Sequence, residues 1–259
     1  MGEPALSVVS GVRMQAGVFG AAHPLSAFVT ELPNFVFGTQ PKEFAVIDIT
    51  ARMERCYTGV VHDVMRTMGF RDFTFPSELR PLDSAGVICG PAFTIEGEAK
   101  PADAHETLLA WTGLLSKAPA GFVWVCQPND RIVAHMGELS AETLKNKGVR
   151  GCVADGFIRD TNFLLEMGFP SWSRGYTPRD IVGHWLPKSV NIDIRIGDVT
   201  VAPGDYVLGD RDGLVRIPKA SVGDVLEKAE TAIATENLVR KAILEGVDPQ
   251  EAYLCHGKF

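Results

Sequence analysis

The run Gly151–Asp160 (GCVADGFIRD) sets an arginine beside an aspartate where an apolar segment gives way to a helical pattern. Cys152, Val153 and Ala154 read as a buried strand and Asp155-Gly156 as a tight turn. Phe163, Leu164 and Met167 then mark one side of a helix. At such a junction Asp160 can hold a hard divalent cation, while Arg159 faces an oxyanion that the same cation polarises. A plainer reading has Asp160 capping the helix and Arg159 in a solvated ion pair. Spacing alone leaves both open.

A second candidate lies just upstream, at Met136–Ala141 (MGELSA). Gly137 lets the backbone come close to a ligand, and the N–H groups of Glu138, Leu139 and Ser140 would point out of a helix start. Such a start can receive a carboxylate or phosphate, although an ordinary helix beginning explains it equally. Three roles are open for Glu138: capping the helix, reaching a metal through water, or moving a proton. If the segments ending at Met136 and Ala154 are neighbouring strands, both candidates line one cleft. That set suits formation and quenching of an enolate from a 2-oxo acid. A metal would chelate the carboxylate and keto oxygens, and Arg159 would steady the C2 oxygen. A base would then take the proton of a C4 hydroxyl, so that the C3–C4 bond breaks. An imine route needs a desolvated lysine. Lys145 and Lys147 sit on a polar helix, and no other lysine is read inside a strand, so the metal-assisted route is favoured.

The elements that must position these residues alternate through the middle of the chain. Residues 1–45 read as a Gly- and Pro-containing arm, and 46–259 as the folded domain. Val60, Val61, Val64 and Met65 predict a helix over Thr58–Met68, stopped by Gly69. A strand is expected over Val87–Ile95, interrupted at Gly90-Pro91. Leu108, Trp111, Thr112 and Leu115 form a helical stripe, followed by a buried strand at Gly121–Cys126. Next come an apolar segment at Ile132–Met136, a helix over Ser140–Lys147 and a strand at Cys152–Ala154. Val190, Ile192, Ile194 and Ile196 alternate with polar residues, as in an antiparallel strand with one wet face. Strands at Tyr206–Leu208 and Leu214–Ile217 precede one amphipathic helix over Ala220–Glu245. The fold class is α/β, a central sheet covered by helices.

Composition narrows the field. With 259 residues, 46% of them hydrophobic, the chain can bury a large core. A net charge of -7 argues against a nucleic-acid surface. No apolar run approaches the roughly 18 residues of a membrane span. The N-terminus lacks a basic region followed by an apolar block, and Leu6 stands where N-myristoylation wants Ser or Thr, so a cytoplasmic protein is expected. The five cysteines are widely spaced and lack a C-x-x-C, which fits reduced thiols and no zinc site. His62, His105, His135 and His184 have no metal-ligand spacing, and the tryptophans read as packing residues. Arg179 either binds an acidic substrate tail or anchors its loop. Turn chemistry suffices to explain Asp210 and Asp212.

Taken in order, several motifs resemble the RraA-like family, which includes the class II 4-hydroxy-4-methyl-2-oxoglutarate/4-carboxy-4-hydroxy-2-oxoadipate aldolases. They are Thr58–Asp63 (TGVVHD) with Met68-Gly69, Gly90–Thr94 (GPAFT), Gly137–Leu139 (GEL), Gly148–Asp160, Arg174–Arg179 (RGYTPR), and Pro203–Gly213 with Ile217-Pro218. The resemblance covers about residues 45–259. It implies a swivelling-domain-like β/β/α sandwich with a central mixed sheet and a long C-terminal helix, assembled as homotrimers or homohexamers with active sites between subunits. By the same resemblance Asp160 would hold Mg²⁺ or Mn²⁺ largely through waters, and Arg159 would contact the pyruvyl oxygen of a small 2-oxo acid. The amides of Gly137, Glu138 and Leu139 would receive the substrate carboxylate. A glutamate from the neighbouring subunit's C-terminal helix, matched here to Glu236, would complete the site. The implied activity is retro-aldol cleavage of a 4-hydroxy-2-oxo acid to pyruvate and a second oxo acid, with oxaloacetate decarboxylase side activity.

The family also includes regulators that bind ribonuclease E and lack the acid after the glycine, where this chain has Glu138. A menaquinone methyltransferase label finds no glycine-rich nucleotide loop to support it. Two departures stand out. Family aldolases carry Asp where this chain has Glu138, and the N-terminal arm and the stretch Arg71–Glu78 exceed compact members.

Overall fold

The computed structural model describes residues 49–257; the arm expected over 1–45 lies outside the described residues. The architecture hinges on β2 (Ile88–Ala99), twelve residues long. One edge of β2 pairs in parallel with β3 (Val123–Gln127). The opposite edge is shared: its first part takes β11 (Tyr206–Gly209) and its last part β8 (Trp185–Val190), both antiparallel. Beyond β3 come β4 (Gly151–Ala154) and β6 (Ser171–Ser173) in parallel, then β1 (Arg80–Pro81) antiparallel; beyond β11 lies β12 (Leu214–Ile217). The result is a mixed, curled sheet of eight strands, as the fold class required.

The period-2 geometry of the strands sorts the core into faces. Phe93, Ile95, Trp124, Cys126, Cys152 and Ala154 share a cluster with helices α2 (Ala104–Lys117) and α3 (Glu138–Asn146), through Trp111, Leu115, Ala141 and Leu144. Their neighbours Val123, Val125 and Val153 face the other way. They meet Ile194, Ile196, Val199 and Val201 from the hairpin β9 (Ile194–Ile196) and β10 (Val199–Val201). Helix α1 (Thr58–Thr67) and the long α5 (Val222–Leu244) pack on Cys89, Leu208, Val215 and Ile217. Two β layers and a helical layer result, with a long helix near the C-terminus.

Local chemistry explains most boundaries. Asp103 caps α2 by accepting the Glu106 N–H at 2.8 Å, and Thr107, Trp111, Leu114 and Leu115 form its buried stripe. Asp210 accepts the Thr58 N–H and hydroxyl at 2.8 and 2.7 Å, and so ties the β11–β12 turn to the start of α1. Turn chemistry alone therefore does not account for Asp210. At Gly97 a Cβ would sit 1.8 Å from the Trp185 ring, so only glycine lets that ring lie against β2 where its register with β8 shifts.

Several expectations need correction. β2 runs through Gly90-Pro91 without a break: Ala92 N–H faces the β11 side, donating to Asp205, so the Pro91 nitrogen faces the other edge, where pairing with β3 starts only at Ala92. Ile132–Met136 forms no strand of the main sheet, only a bridge from Ala134 to Phe157. The alternating run from Val190 to Ile196 is two strands, not one. Asn191 takes φ +54° and turns the chain, leaving Ile192 exposed while Ile194 and Ile196 are buried. Lys188 does lie inside a strand, β8, but it is half exposed and paired with Glu96 at 3.3 Å. Helix α3 begins two residues before Ser140, at Glu138. A further helix, α6 (Pro249–His256), follows α5; Asp248 caps it and proline occupies its first turn. The stretch Arg71–Glu78 lines β12, with Phe75 N–H donating to Leu214 and Arg216 N–H to Phe73.

His135 is wholly buried, edge-on to Trp185, with its Nε2 3.5 Å from Asp130. Neither ring nitrogen has a hydrogen-bond partner among the described residues. Asp130 spends its oxygens on the N–H groups of Ile132 and Val133 and on His184. Burial lowers the His135 pKa from 6.5 to about 4, against the pull of Asp130. The unfolded chain therefore takes up this proton first on acidification. The stability is complete above pH 6.5 and falls as the pH drops towards 4. Between pH 7.5 and pH 5 the loss should be about 2 kcal/mol. Urea unfolding of the protein and of His135→Leu checks this, since the variant should lack that portion of the slope.

Candidate active site

The candidate site begins with a salt-bridged turn. Beyond β4 the Asp155 carboxylate is mostly buried, 2.5 Å from Arg174 Nε and 3.2 Å from Arg131 Nη2. This fixes the chain as it enters β5 (Phe157–Ile158), which pairs in parallel with β7 (Gly175–Tyr176). The segment leading to Gly137 is laced to β5 by main-chain bonds. His135 N–H donates to Phe157 O at 2.8 Å, and Arg159 N–H donates to Met136 O at 2.9 Å. The two sequence candidates are thus brought together, through this short ladder at the edge of the fold rather than as neighbouring strands of the main sheet.

Asp160 takes the position before α4 (Thr161–Glu166) but does not cap it. Its backbone is left-handed, φ 56° and ψ 36°, and its side chain makes no bond to the helix start. A non-glycine residue in this region costs roughly 1 kcal/mol or more. The conformation turns the carboxylate towards Gly137. There Oδ2 accepts the Glu138 N–H at 3.1 Å and lies 3.4 Å from Arg159 Nε. A Cβ on Gly137 would be 2.7 Å from that oxygen and 3.2 Å from the Arg159 side chain. Glycine is therefore needed here for close approach. Arg159 also reaches Asp180, Nη1 to Oδ2 3.6 Å. All three side chains are about a third to a half exposed, so their pairing adds little stability and leaves them open to a ligand.

These groups border a cavity of about 430 Å³. Its lining includes the polar residues Glu138, Arg159, Asp160 and Asp180 around Gly137. Its apolar lining includes Leu108, Trp111 and Leu115 of α2 with Ile181 and Val182. Ser140 of α3, also in the lining, accepts a hydrogen bond from Trp111 Nε1 of α2 at 2.9 Å. No group of three or more His, Cys, Asp or Glu among the described residues could cage a metal ion. What the site offers is one hard oxygen donor, Asp160, with Glu138 and Asp180 nearby. That donor set fits an ion that keeps most of its waters, as Mg²⁺ and Mn²⁺ do, and not a tetrahedral Zn²⁺.

The sequence candidates fare differently. Gly137, Glu138, Leu139, Arg159 and Asp160 all border the cavity. The Glu138 amide, expected to receive a ligand carboxylate, is already engaged by Asp160. The first-turn amides of Leu139 and Ser140 have no helical acceptor and remain for that task. Glu138 makes no capping bond; it lies in the first turn of α3, where negative charge is favoured. Glu236 is not at this cavity. It sits on α5, accepts a hydrogen bond from the Tyr57 hydroxyl, and borders a separate recess with Val239 and Arg240. Arg179 does not border the cavity either; its carbonyl anchors Ala134 N–H at 2.9 Å. Asp180 and Trp111 were missed as site residues. The pattern PRD drew attention to the arginine, and Trp111 carries the spacing of a packing residue. Lys145 and Lys147 bond the carbonyls of Met167 and Ser116. Burial pushes the Cys89, Cys126 and Cys152 thiols well up, so none serves as a nucleophile.

The comparisons bear on family and fold. The profile of the family described as RraA-like, aldolase/RraA, matches residues 58–216. A Halalkalibacterium halodurans protein, provisionally named a 4-hydroxy-4-methyl-2-oxoglutarate aldolase, is 28% identical over 214 residues, covering 81% of this chain and 95% of its own length. The 4-hydroxy-4-methyl-2-oxoglutarate aldolase of Thermus thermophilus is 30% identical over 90 residues, 35% of this chain and 54% of its own. Among solved structures, Streptomyces coelicolor RraAS2, described as an unusual member of the RNase ES inhibitor RraA family, superimposes with a TM-score of 0.66 at 26% identity. It covers 74% of this chain and 96% of its own. No helix among the described residues is long and apolar enough to cross a membrane.

Gly137→Ala should leave the fold intact while forcing the Asp160 carboxylate off the Glu138 amide. The unfolding temperature is expected to move by only a few degrees, since the displaced atoms are half exposed. A crystal structure of the variant checks the displacement, and an unmoved carboxylate would show that the close approach is not what glycine provides.

Proposed function

Because the chain belongs to the RraA-like family, we propose that its cavity carries out metal-dependent retro-aldol cleavage of a 4-hydroxy-2-oxo acid, releasing pyruvate and a second oxo compound. The observation that carries this reading is the meeting of Asp160, Arg159 and the start of α3 across Gly137, at the mouth of one cavity. The substrate carboxylate would lie at the amides of Leu139 and Ser140, and the 2-oxo oxygen at Arg159. Asp160 would hold Mg²⁺ or Mn²⁺ largely through waters. When bound, such an ion supplies Lewis-acid polarisation of the keto group.

The remaining chemistry belongs to side chains. A carboxylate takes the proton of the C4 hydroxyl as the C3–C4 bond breaks. The bonding pair moves towards C2, where Arg159 faces the growing negative charge, and C3 is then protonated to give pyruvate. Glu138 stands at the cavity for the proton transfer. Glu236, away from the cavity of its own chain, would serve that of a second copy in a trimer or hexamer. Oxaloacetate decarboxylation would follow as a side activity, because it passes through the same enolate. The superposition on RraAS2 favours a second reading, a regulator that binds a ribonuclease. Capture of a ribonuclease, with no pyruvate formed from any 4-hydroxy-2-oxo acid, would select it.

A coupled pyruvate-release assay over a panel of 4-hydroxy-2-oxo acids tests the proposal. Turnover should require added Mg²⁺ or Mn²⁺ and be lost in Asp160→Ala; undiminished turnover in EDTA would reject the mechanism. Arg159→Ala should lower kcat by roughly 10²–10³-fold.

The assignment of Glu236 has its own test. Glu236→Gln and Asp160→Ala should each be inactive alone, and mixing their subunits should restore part of the turnover. No recovery on mixing would remove Glu236 from the site.

A further inference from the structure

We propose that Asp180 is a positioning residue: it holds the Arg159 guanidinium where the negative charge of an enolate oxygen would form. This rests on the lyase reading above and adds to it the group that keeps Arg159 in place. Arg159 lies between two carboxylates, its Nε 3.4 Å from Asp160 Oδ2 and its Nη1 3.6 Å from Asp180 Oδ2. Both separations exceed ordinary hydrogen-bond length. The two acids therefore act on the guanidinium by charge, and its N–H groups stay available to a ligand oxygen. The stem of the side chain runs close over Gly137, where a Cβ would be 3.2 Å from both Cγ and Nε of Arg159. An ion held by Asp160 would offset that carboxylate's pull and repel the guanidinium. Asp180 is then the paired acid of its own chain left to hold Arg159.

The fold gives Asp180 the fixed placement such a role requires. Its Oδ1 accepts the Val182 N–H at 3.1 Å, while Oδ2 faces Arg159. The Arg179 carbonyl, just before it, accepts the Ala134 N–H at 2.9 Å, from the segment that leads to Gly137. Just after it, the Gly183 N–H donates to the Thr107 hydroxyl of α2 at 3.3 Å, and His184 Nε2 lies 3.0 Å from Asp130 Oδ1. Asp130 is buried and also accepts the Ile132 and Val133 N–H groups. The segment carrying Asp180 is thus tied at both ends to the one that leads to Gly137.

Oxalate, a stable dianion shaped like the enolate of pyruvate, is the probe. Its binding in the presence of magnesium is measured by calorimetry on the full chain, on Asp180→Ala, on Arg159→Ala and on the double variant. By charge alone, removing an acid beside the seat of an anion tightens binding. A positioning role gives the opposite sign. Asp180→Ala should weaken oxalate binding roughly tenfold, and in the Arg159→Ala background should add no more than about twofold. Tighter or unchanged binding in Asp180→Ala, an equal loss in both backgrounds, or no binding to the unaltered chain overturns the proposal. Asp180→Asn keeps an acceptor for the Val182 N–H but not the charge, and should match the alanine variant; full binding would show that the charge is not what holds Arg159. Manganese binding to Asp180→Ala should stay within about threefold of the unaltered chain; its loss would make Asp180 an ion ligand instead.

Turnover is read separately. In Asp180→Ala kcat should fall roughly tenfold with KM within about threefold, because Arg159 meets a charge that grows only as the bond breaks. If oxalate behaves as expected but no 4-hydroxy-2-oxo acid yields pyruvate, the lyase reading fails and the positioning of Arg159 for an anion stands. Pyruvate release with kcat and oxalate binding both unchanged in Asp180→Ala removes the positioning role and leaves the lyase reading in place.

Discussion

A short main-chain ladder at the edge of the fold makes the rest of the site possible. Ala134–Met136 runs beside Phe157–Arg159, joined by a bridge and by N–H bonds in both directions. Backbone pairing of this kind fixes position to a fraction of an ångström without using any side chain. It sets the start of α3 against the start of α4, so that the Asp160 carboxylate meets the Glu138 amide across a glycine. The left-handed backbone at Asp160 runs against its own preference. It persists because the ladder upstream, the salt-bridged turn at Asp155 and helix α4 downstream leave the chain no easier path.

The same arrangement separates groups that hold the site from groups that can act in it. Asp155 and Arg174 are nearly buried and paired at 2.5 Å, with Arg131 also on Asp155 and Glu78 3.7 Å from Arg174. Arg159, Asp160 and Asp180 are more open and more loosely paired. Ion pairs of the second kind add little stability in water, so their placement at a cavity mouth is better explained by what they can bind.

Much of this was legible in the residues, and the failures have identifiable causes. The buried strands β3 and β4 announced themselves as apolar runs ended by turns, and α1 by its valine stripe and Gly69. The adjacency of Arg159 and Asp160 to Gly137 was also anticipated, but by the wrong route. Ile132–Met136 is apolar enough to be a strand, yet its hydrogen bonds go to β5, outside the sheet, and periodicity carries no such information. The run from Val190 to Ile196 kept its alternation through a turn at Asn191, where a single positive φ divides it into two strands. Asp180 escaped notice because an acid after Pro-Arg is ordinary in a loop; only the folded chain brings it to Arg159. Glu236 lies on the long helix α5, as expected, and borders a recess separate from the cavity of its own chain.

Trp111 offers a consequence of another kind. Its indole N–H is tied to Ser140, its ring lies edge-on to Trp124 and Trp185 at 5.8 and 5.9 Å, and its outer surface borders the cavity. Three of the chain's four indoles are thus within easy range of energy exchange. A ligand seated against Trp111 would touch one member of this set and, through energy exchange, alter the emission of all three. Such a ligand would be reported by the protein's own light, whether or not it reacts.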